Sequence, residues 1–143
     1  SPTSDPGFET LIQYEGVHTL PLNPLALAIV EDASFVARSF SGDPDHLKNL
    51  MCAAFEADGF ALLDILQPCV TFNRRNTFKW YKDRVQPIGD EHDPTDRPAA
   101  LELAFTWGET IPIGVIYRGS RASYESGVGV LQGGPLVERY AGS

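Results

Sequence analysis

An α/β fold, a parallel sheet with crossover helices, is predicted by three features of the chain. The first is the order helix, strand, helix, strand between Asn23 and Leu66. Parallel strands need a long crossover between them, and a helix is the usual one. The second is Phe60-Ala61-Leu62-Leu63-Asp64-Ile65-Leu66, a short apolar run that reads as a core strand covered on both faces. The third is the break after that run, where Pro68 fixes φ, removes a donor and leaves Cys69 just past the strand's carboxyl end. Ligands of open α/β sheets collect outside those ends, so Cys69 stands where such a protein places its chemistry, in a direction that suits a metal ligand.

The elements follow in order. Asn23 caps a helix with Pro24 in its first turn and a small apolar body running to Ala33, the writing of a tightly packed, largely buried helix. Ser34 to Phe40 alternates and carries aromatic and β-branched residues, which predicts a strand with side chains on two faces. After the Ser41-Gly42 turn, Asp43 caps a second helix with Pro44 at its first position. There Leu47, Leu50, Met51, Ala54 and Phe55 share a face at the helical period, and Gly59 ends the segment. Cys52, on its apolar side, reads as a small core residue.

Beyond Cys69 an aromatic helix is predicted over Asn76 to Val85, with Phe78, Tyr81 and Val85 on one face and a basic opposite side. An acidic loop, Gly89 to Asp96, leads to a helix from Arg97 to Trp107 capped by Thr95 or Asp96 and closed by Gly108. The last strand, Ile111 to Tyr117, carries a proline near its start, which predicts an edge position. The tail from Gly119 to Ser143 is rich in glycine and small residues and is expected to form an irregular arm docked on another subunit.

Composition excludes several classes. With 143 residues and 43% hydrophobic content the chain can bury a single core. A net charge of −8, from 11 Lys and Arg against 19 acids, disfavours nucleic acid and anionic membranes as partners. No apolar run approaches the roughly 20 residues that span a bilayer. Two cysteines cannot build a disulfide framework, and no signal segment opens the chain, so a cytoplasmic location is expected. Ser1 to Gly7 lacks an initiator methionine and reads as the middle of an active-site loop, so the chain is expected to be a fragment.

Other motifs carry less. Gly127 to Gly133 misses the dinucleotide fingerprint by one position, and His18, His46 and His92 lack the spacing of a self-contained zinc site. A Cys69–His92 nucleophile pair is a second use open to the thiol, since such partners need only be adjacent in space. Arg74 and Arg75 suit an anion or the distal carboxylate of a substrate, and equally a solvated turn.

Several separated blocks then agree on one family. Pro21-Leu22-Asn23-Pro24-Leu25-Ala26-Leu27-Ala28, Ala33-Ser34-Phe35-Val36-Ala37-Arg38, Leu66-Gln67-Pro68-Cys69-Val70-Thr71-Phe72-Asn73 with Asn76-Thr77, and His92-Asp93-Pro94-Thr95-Asp96 stand in matching order and spacing. From Ser1 to about Tyr117 the chain resembles the β subunit of the 2-oxoacid:ferredoxin oxidoreductases. The resemblance implies residues 1–73 as the carboxyl-terminal half of a thiamine diphosphate-binding domain, and residues 74–143 as the carboxyl-terminal region of the β subunit, ending in a helical or irregular arm. It implies oxidative decarboxylation of a 2-oxoacid, 2-oxoglutarate or pyruvate, to an acyl-coenzyme A. Electrons pass through a 4Fe-4S cluster to ferredoxin, and the site is completed by an α subunit. Thiamine diphosphate, Mg²⁺ and the cluster are the implied cofactors. Cys69 matches the family's Leu-Gln-Pro-Cys cluster ligand, and Thr3 lies near the cofactor loop. The other cluster cysteines and the Mg²⁺-binding segment of the family precede the position of Ser1, so this chain alone is expected to be inactive. The competing expectation is a non-catalytic interaction module that retains the family scaffold and docks a partner through its arm.

Overall fold

The computed structural model describes residues 6–9, 14–71, 73–129 and 137. Helix α1, Pro24–Val30, begins where predicted, and its cap is Asn23, whose Oδ1 accepts from Ala26 N at 3.0 Å. It buries one face, Leu25, Ala26, Ala28 and Ile29, and leaves Leu27 and Val30 exposed, so it lies on the sheet rather than within the core. Strand β1, Phe35–Phe40, follows, and all six of its residues are buried.

Helix α2, Pro44–Glu56, is capped by Asp43, whose Oδ1 accepts from His46 N at 3.1 Å. It is the predicted crossover, because β2, Ala61–Leu66, pairs parallel to β1 from Phe35↔Ala61 to Phe40↔Leu66. Its buried stripe differs from the predicted one. Leu50 is buried, Ala53, Ala54 and Ala57 pack around it against Phe35 and Ala37, and Met51, Cys52 and Phe55 face outward. The alanines form an i, i+3, i+4, i+7 stripe of their own with Leu50, and their small side chains let the helix sit close to the strands. Cys52 is therefore exposed and not a core residue.

The sheet has the order β2-β1-β4-β3 and is mixed rather than wholly parallel. Strand β2 is an edge strand with only Leu66 buried, so the expectation of cover on both faces is corrected. Helix α3, Phe78–Lys82, is shorter than predicted. Its cap is Thr77, and the chain leaves it at Asp83 so that Val85 enters strand β3, Val85–Pro87. Helix α4, Arg97–Phe105, is capped by Asp96, and Thr106 ends it just before the predicted limit at Trp107.

Strand β4, Ile111–Tyr117, is central, antiparallel to β1 and parallel to β3, where an edge strand was expected. The proline is tolerated for a local reason. Ile111 N donates to Arg84 O and Ile88 N donates to Ile113 O, so residues 111 and 113 address β3. The nitrogen of Pro112 then faces the β1 side, where pairing begins only at Gly114 opposite Arg38. The missing donor costs no ladder bond.

Leu25, Ile29, Val36, Ala100, Ala104 and Ile116 form one apolar cluster under α1 and α4, and Phe40, Leu66, Ile111 and Ile113 form a second with Trp80, Tyr81 and Val85. The arm contributes a short helix, α5, Tyr124–Gly127, and beyond Gly129 it falls outside the described residues apart from Val137. No helix among the described residues is long and apolar enough to cross a membrane.

Candidate functional site

The gap between the two apolar clusters is filled by charge. Arg38 and Asp64 occupy the fourth place of β1 and of β2, and the parallel register sets them side by side. Arg38 Nε donates to Asp64 Oδ2 at 3.0 Å, with 4% of the arginine side chain and 28% of the aspartate side chain exposed. Arg38 Nη2 reaches Ala104 O at 3.3 Å, and Asn23 Nδ2 donates to the same carbonyl at 2.9 Å. The end of α4 is thereby clamped to the start of α1. Nη1 is buried and meets no acceptor among the described residues. Burial pushes the Arg38 guanidinium below its ordinary value, an effect the Asp64 carboxylate opposes.

This pair floors a cleft of about 580 Å³ at the carboxyl end of β1 and β2, walled by Gln67, Asn73, Asn76, Tyr81, Phe105 and Trp107. The Trp107 ring centroid stands 5.6 Å from the Arg38 guanidinium carbon. The position is the one a sheet of this class reserves for ligands.

Cys69 lies at the rim of the same end. Leu66 and Pro68 are buried and Cys69 is exposed, so the proline seats the strand end and turns the next side chain outward. Asn73 N donates to Cys69 O at 2.9 Å, closing a turn. Asn73 Oδ1 accepts from Arg75 N and Asn76 N, each at 2.9 Å, and Asn73 Nδ2 donates to Asn76 Oδ1 at 3.0 Å. The two asparagines thus fix the segment between Cys69 and α3 and face the cleft. Arg74 and Arg75 are exposed and do not line it.

Cys69 and His92 sit at opposite ends of the sheet. His92 Nε2 donates to Ile116 O at 2.8 Å, and that part of β4 pairs with the start of β1, whereas Cys69 follows the end of β2. The nucleophile pair is therefore overturned. Thr3 falls outside the described residues. Among the described residues no group of three or more His, Cys, Asp or Glu side chains converges. Four thiolates hold a 4Fe-4S cluster, so an exposed Cys69 fits one corner of such a group. Cys52, exposed on α2, belongs to the opposite face of the sheet and adds no second corner there.

Sequence reasoning missed the Arg38–Asp64 pair. Its signal was an arginine and an aspartate at the same offset in two strands predicted to run parallel.

The chain is similar to known proteins along most of its length. Residues 69–133 match a family model for the carboxyl-terminal part of the pyruvate ferredoxin oxidoreductase beta subunit. The chain is 40% identical to subunit beta of 2-oxoacid:ferredoxin oxidoreductase 1 of Aeropyrum pernix, over 76% of this chain and 40% of that protein. It is 38% identical to the 2-oxoacid:ferredoxin oxidoreductase subunit beta of a Sulfolobus species, over 73% of this chain and 38% of that protein. Among solved structures, a 2-oxoglutarate:ferredoxin oxidoreductase from Magnetococcus marinus with 2-oxoglutarate, coenzyme A and succinyl-CoA bound superposes on the whole chain with a TM-score of 0.84 at 34% identity. The chain spans 47% of that protein and about two-fifths of the curated relatives.

Proposed function

The chain belongs to the 2-oxoacid:ferredoxin oxidoreductase β-subunit family, and from that premise we propose that it works as part of the β subunit of such an enzyme, in the cytoplasm, beside an α subunit. The reaction is oxidative decarboxylation of a 2-oxoacid to an acyl-coenzyme A with electrons delivered to ferredoxin. Residues 1–73 serve in the thiamine diphosphate-binding domain and residues 74–143 as the carboxyl-terminal region. 2-Oxoglutarate is the preferred substrate over pyruvate. Support for it comes from the bound 2-oxoglutarate of the Magnetococcus enzyme and from 40% identity over 73 residues to the 2-oxoglutarate oxidoreductase subunit KorB of Mycobacterium tuberculosis.

The observation that carries this reading is the exposed thiol of Cys69, fixed by Pro68 at the carboxyl end of β2. Cys69 would hold one iron of a 4Fe-4S cluster, and the remaining thiolates, like the residues that bind thiamine diphosphate and Mg²⁺, come from outside the described residues. Thiamine diphosphate supplies the carbon–carbon bond cleavage when bound, and the protein supplies orientation and electrostatics. In this chain those tasks fall to particular groups. The Asn73–Asn76 pair holds the turn after Cys69 in place, Thr77 starts α3, and Phe78 and Tyr81 seat α3 on Phe40, with ring centroids 6.0 and 5.7 Å apart. The two cysteines of the chain are fewer than the four thiolates a 4Fe-4S cluster takes, so the chain by itself would hold no stable cluster.

The test is Cys69→Ser in the complete two-subunit enzyme. The expected outcome is a lost or altered cluster signal in electron paramagnetic resonance and abolished ferredoxin reduction. A variant with unaltered signal and full activity would favour the interaction module instead.

A further inference from the structure

Positive charge in this acidic chain is concentrated at one place. Residues 74–84 carry Arg74, Arg75, Lys79, Lys82 and Arg84 against Asp83 alone, a net +4, so the remainder of a chain with net charge −8 carries −12. The structure brings these cations to the same end of the sheet as Cys69, from the turn after β2 to the start of β3. The turn closed by Asn73 N on Cys69 O leads straight into Arg74 and Arg75, both exposed. Helix α3 rests Phe78 and Tyr81 against Phe40 at the end of β1, and Lys79 and Lys82 are exposed. Arg84 lies over the Trp80 ring at 4.5 Å and donates through Nη1 to Trp80 O at 3.1 Å, so its charge is held in place. Lys79 is partly neutralised by Asp83 at 2.8 Å, while Arg74, Arg75 and Lys82 form no ion pair among the described residues. Two apolar groups of the same stretch are exposed as well, Val70 at 76% and Phe78 at 48%.

Exposed apolar groups together with unpaired cations, at the end of the sheet that carries the exposed thiol of Cys69, have the make-up of a transient protein contact. Electron-transfer encounters bury less surface than most specific complexes and rely on complementary charge for fast association. We propose that the turn and helix from Arg74 to Arg84 are the docking surface for an acidic electron-carrier protein. The proposal rests on the reading of Cys69 as a cluster ligand and adds where the carrier lands. Nucleic acid is a poor occupant, because the rest of the chain around this patch is strongly acidic. Asn76 and Tyr81 of this segment wall the cleft, whereas its five cations do not line it.

The experiment compares the complete two-subunit enzyme with its Arg74→Glu/Arg75→Glu/Lys82→Glu variant, measuring the dissociation constant for an acidic ferredoxin over a range of salt concentrations. The wild-type affinity should fall steeply with salt, and the variant should bind about tenfold or more weakly with a flattened salt dependence. Reduction of methyl viologen should be unchanged, because a small cation needs no protein docking site. An unchanged dissociation constant and salt slope in a variant that still reduces viologen would overturn the proposal, as would weakened binding of coenzyme A in place of ferredoxin. Should the triple variant lose viologen activity, the milder Arg74→Gln/Arg75→Gln variant and the wild-type salt slope decide, a salt-independent wild type counting against the proposal. A wild-type complex that reduces no viologen with any 2-oxoacid would instead sink the oxidoreductase reading itself.

Discussion

The two ends of the sheet are built on opposite principles. At the amino end of β1, Tyr117 OH donates to Asp32 Oδ1 at 2.5 Å, and Arg97 Nη2 donates to the same oxygen at 2.6 Å and to the Tyr117 hydroxyl at 3.0 Å. His92 is tied to Ile116 O, Arg118 N to Pro94 O and Gly119 N to Ala33 O. Gly119 is needed there, since a Cβ at that position would stand 2.4 Å from Ala33 O. At the carboxyl end lie Arg38 Nη1 and Ser41 Oγ, the two buried side-chain atoms without a partner among the described residues, together with an open cleft, an exposed thiol and the cation-rich segment from Arg74 to Arg84. Buried polar groups normally find partners. The end that satisfies itself is a staple, and the end that does not is the one proposed to meet other groups.

The contrast can be broken most severely at Asp64. Asp64→Ala strands the buried Arg38 cation, and uncompensated buried charge of this kind costs about 3–5 kcal/mol of folding stability, read as a lower urea midpoint. The Arg38→Met/Asp64→Leu double variant should recover most of that loss, because two apolar groups of similar size leave nothing unpaired. A single variant as stable as wild type would show that the pair is solvated.

Asn23→Ala acts on the clamp rather than the charge. It removes the α1 cap and the bond to Ala104 O, with an expected cost of about 1–2 kcal/mol in the same titration.

The staple at the amino end predicts a pH dependence. Hydrogen bonding from Tyr117, and then the Arg97 guanidinium, holds the Asp32 carboxyl below the ordinary carboxylate range. A depressed folded value stabilises the protein above the unfolded value, near 3.9, and the contribution is lost as pH falls through the folded value. Tyr117→Phe should flatten the stability profile in that acid window. Burial raises the Tyr117 phenol, so the wild type should also lose stability as pH rises past about 10. The variant, with no phenol, should not. Parallel profiles for the two proteins would remove the staple from the account.

The smallest effect is expected at Cys52. It is exposed on α2, away from the site, so Cys52→Ala should change stability by less than about 0.5 kcal/mol and leave the cluster signal of the complete enzyme intact. This separates the two cysteines by role.

The starts of three helices and the end of β2 were legible in the sequence because their signals are local. Asn23, Asp43 and Asp96 cap the helices they precede, and Pro68 ends β2 before an outward Cys69. The errors arose where a second element decides. Leu50 and Ala54 of the predicted α2 stripe do face the sheet, but Ala53 and Ala57 were missed because they are weakly hydrophobic yet allow closer packing than Met51 and Phe55. The edge and centre of the sheet were exchanged because pairing order is not written in either strand. Ala61 to Leu66 looks apolar enough for the core, and Pro112 hides its missing donor on the side where β1 pairing has ended. The Arg38–Asp64 pair appears only when two strands are aligned in register.

The central claim, that the carboxyl end is a functional site anchored by Cys69, is tested most directly by the structure of the complete two-subunit enzyme with anomalous diffraction at the iron edge. The account predicts iron density bonded to Cys69 Sγ, with the Arg74 to Arg84 segment exposed beside it. Iron held wholly by other residues, with Cys69 packed against protein, would contradict it.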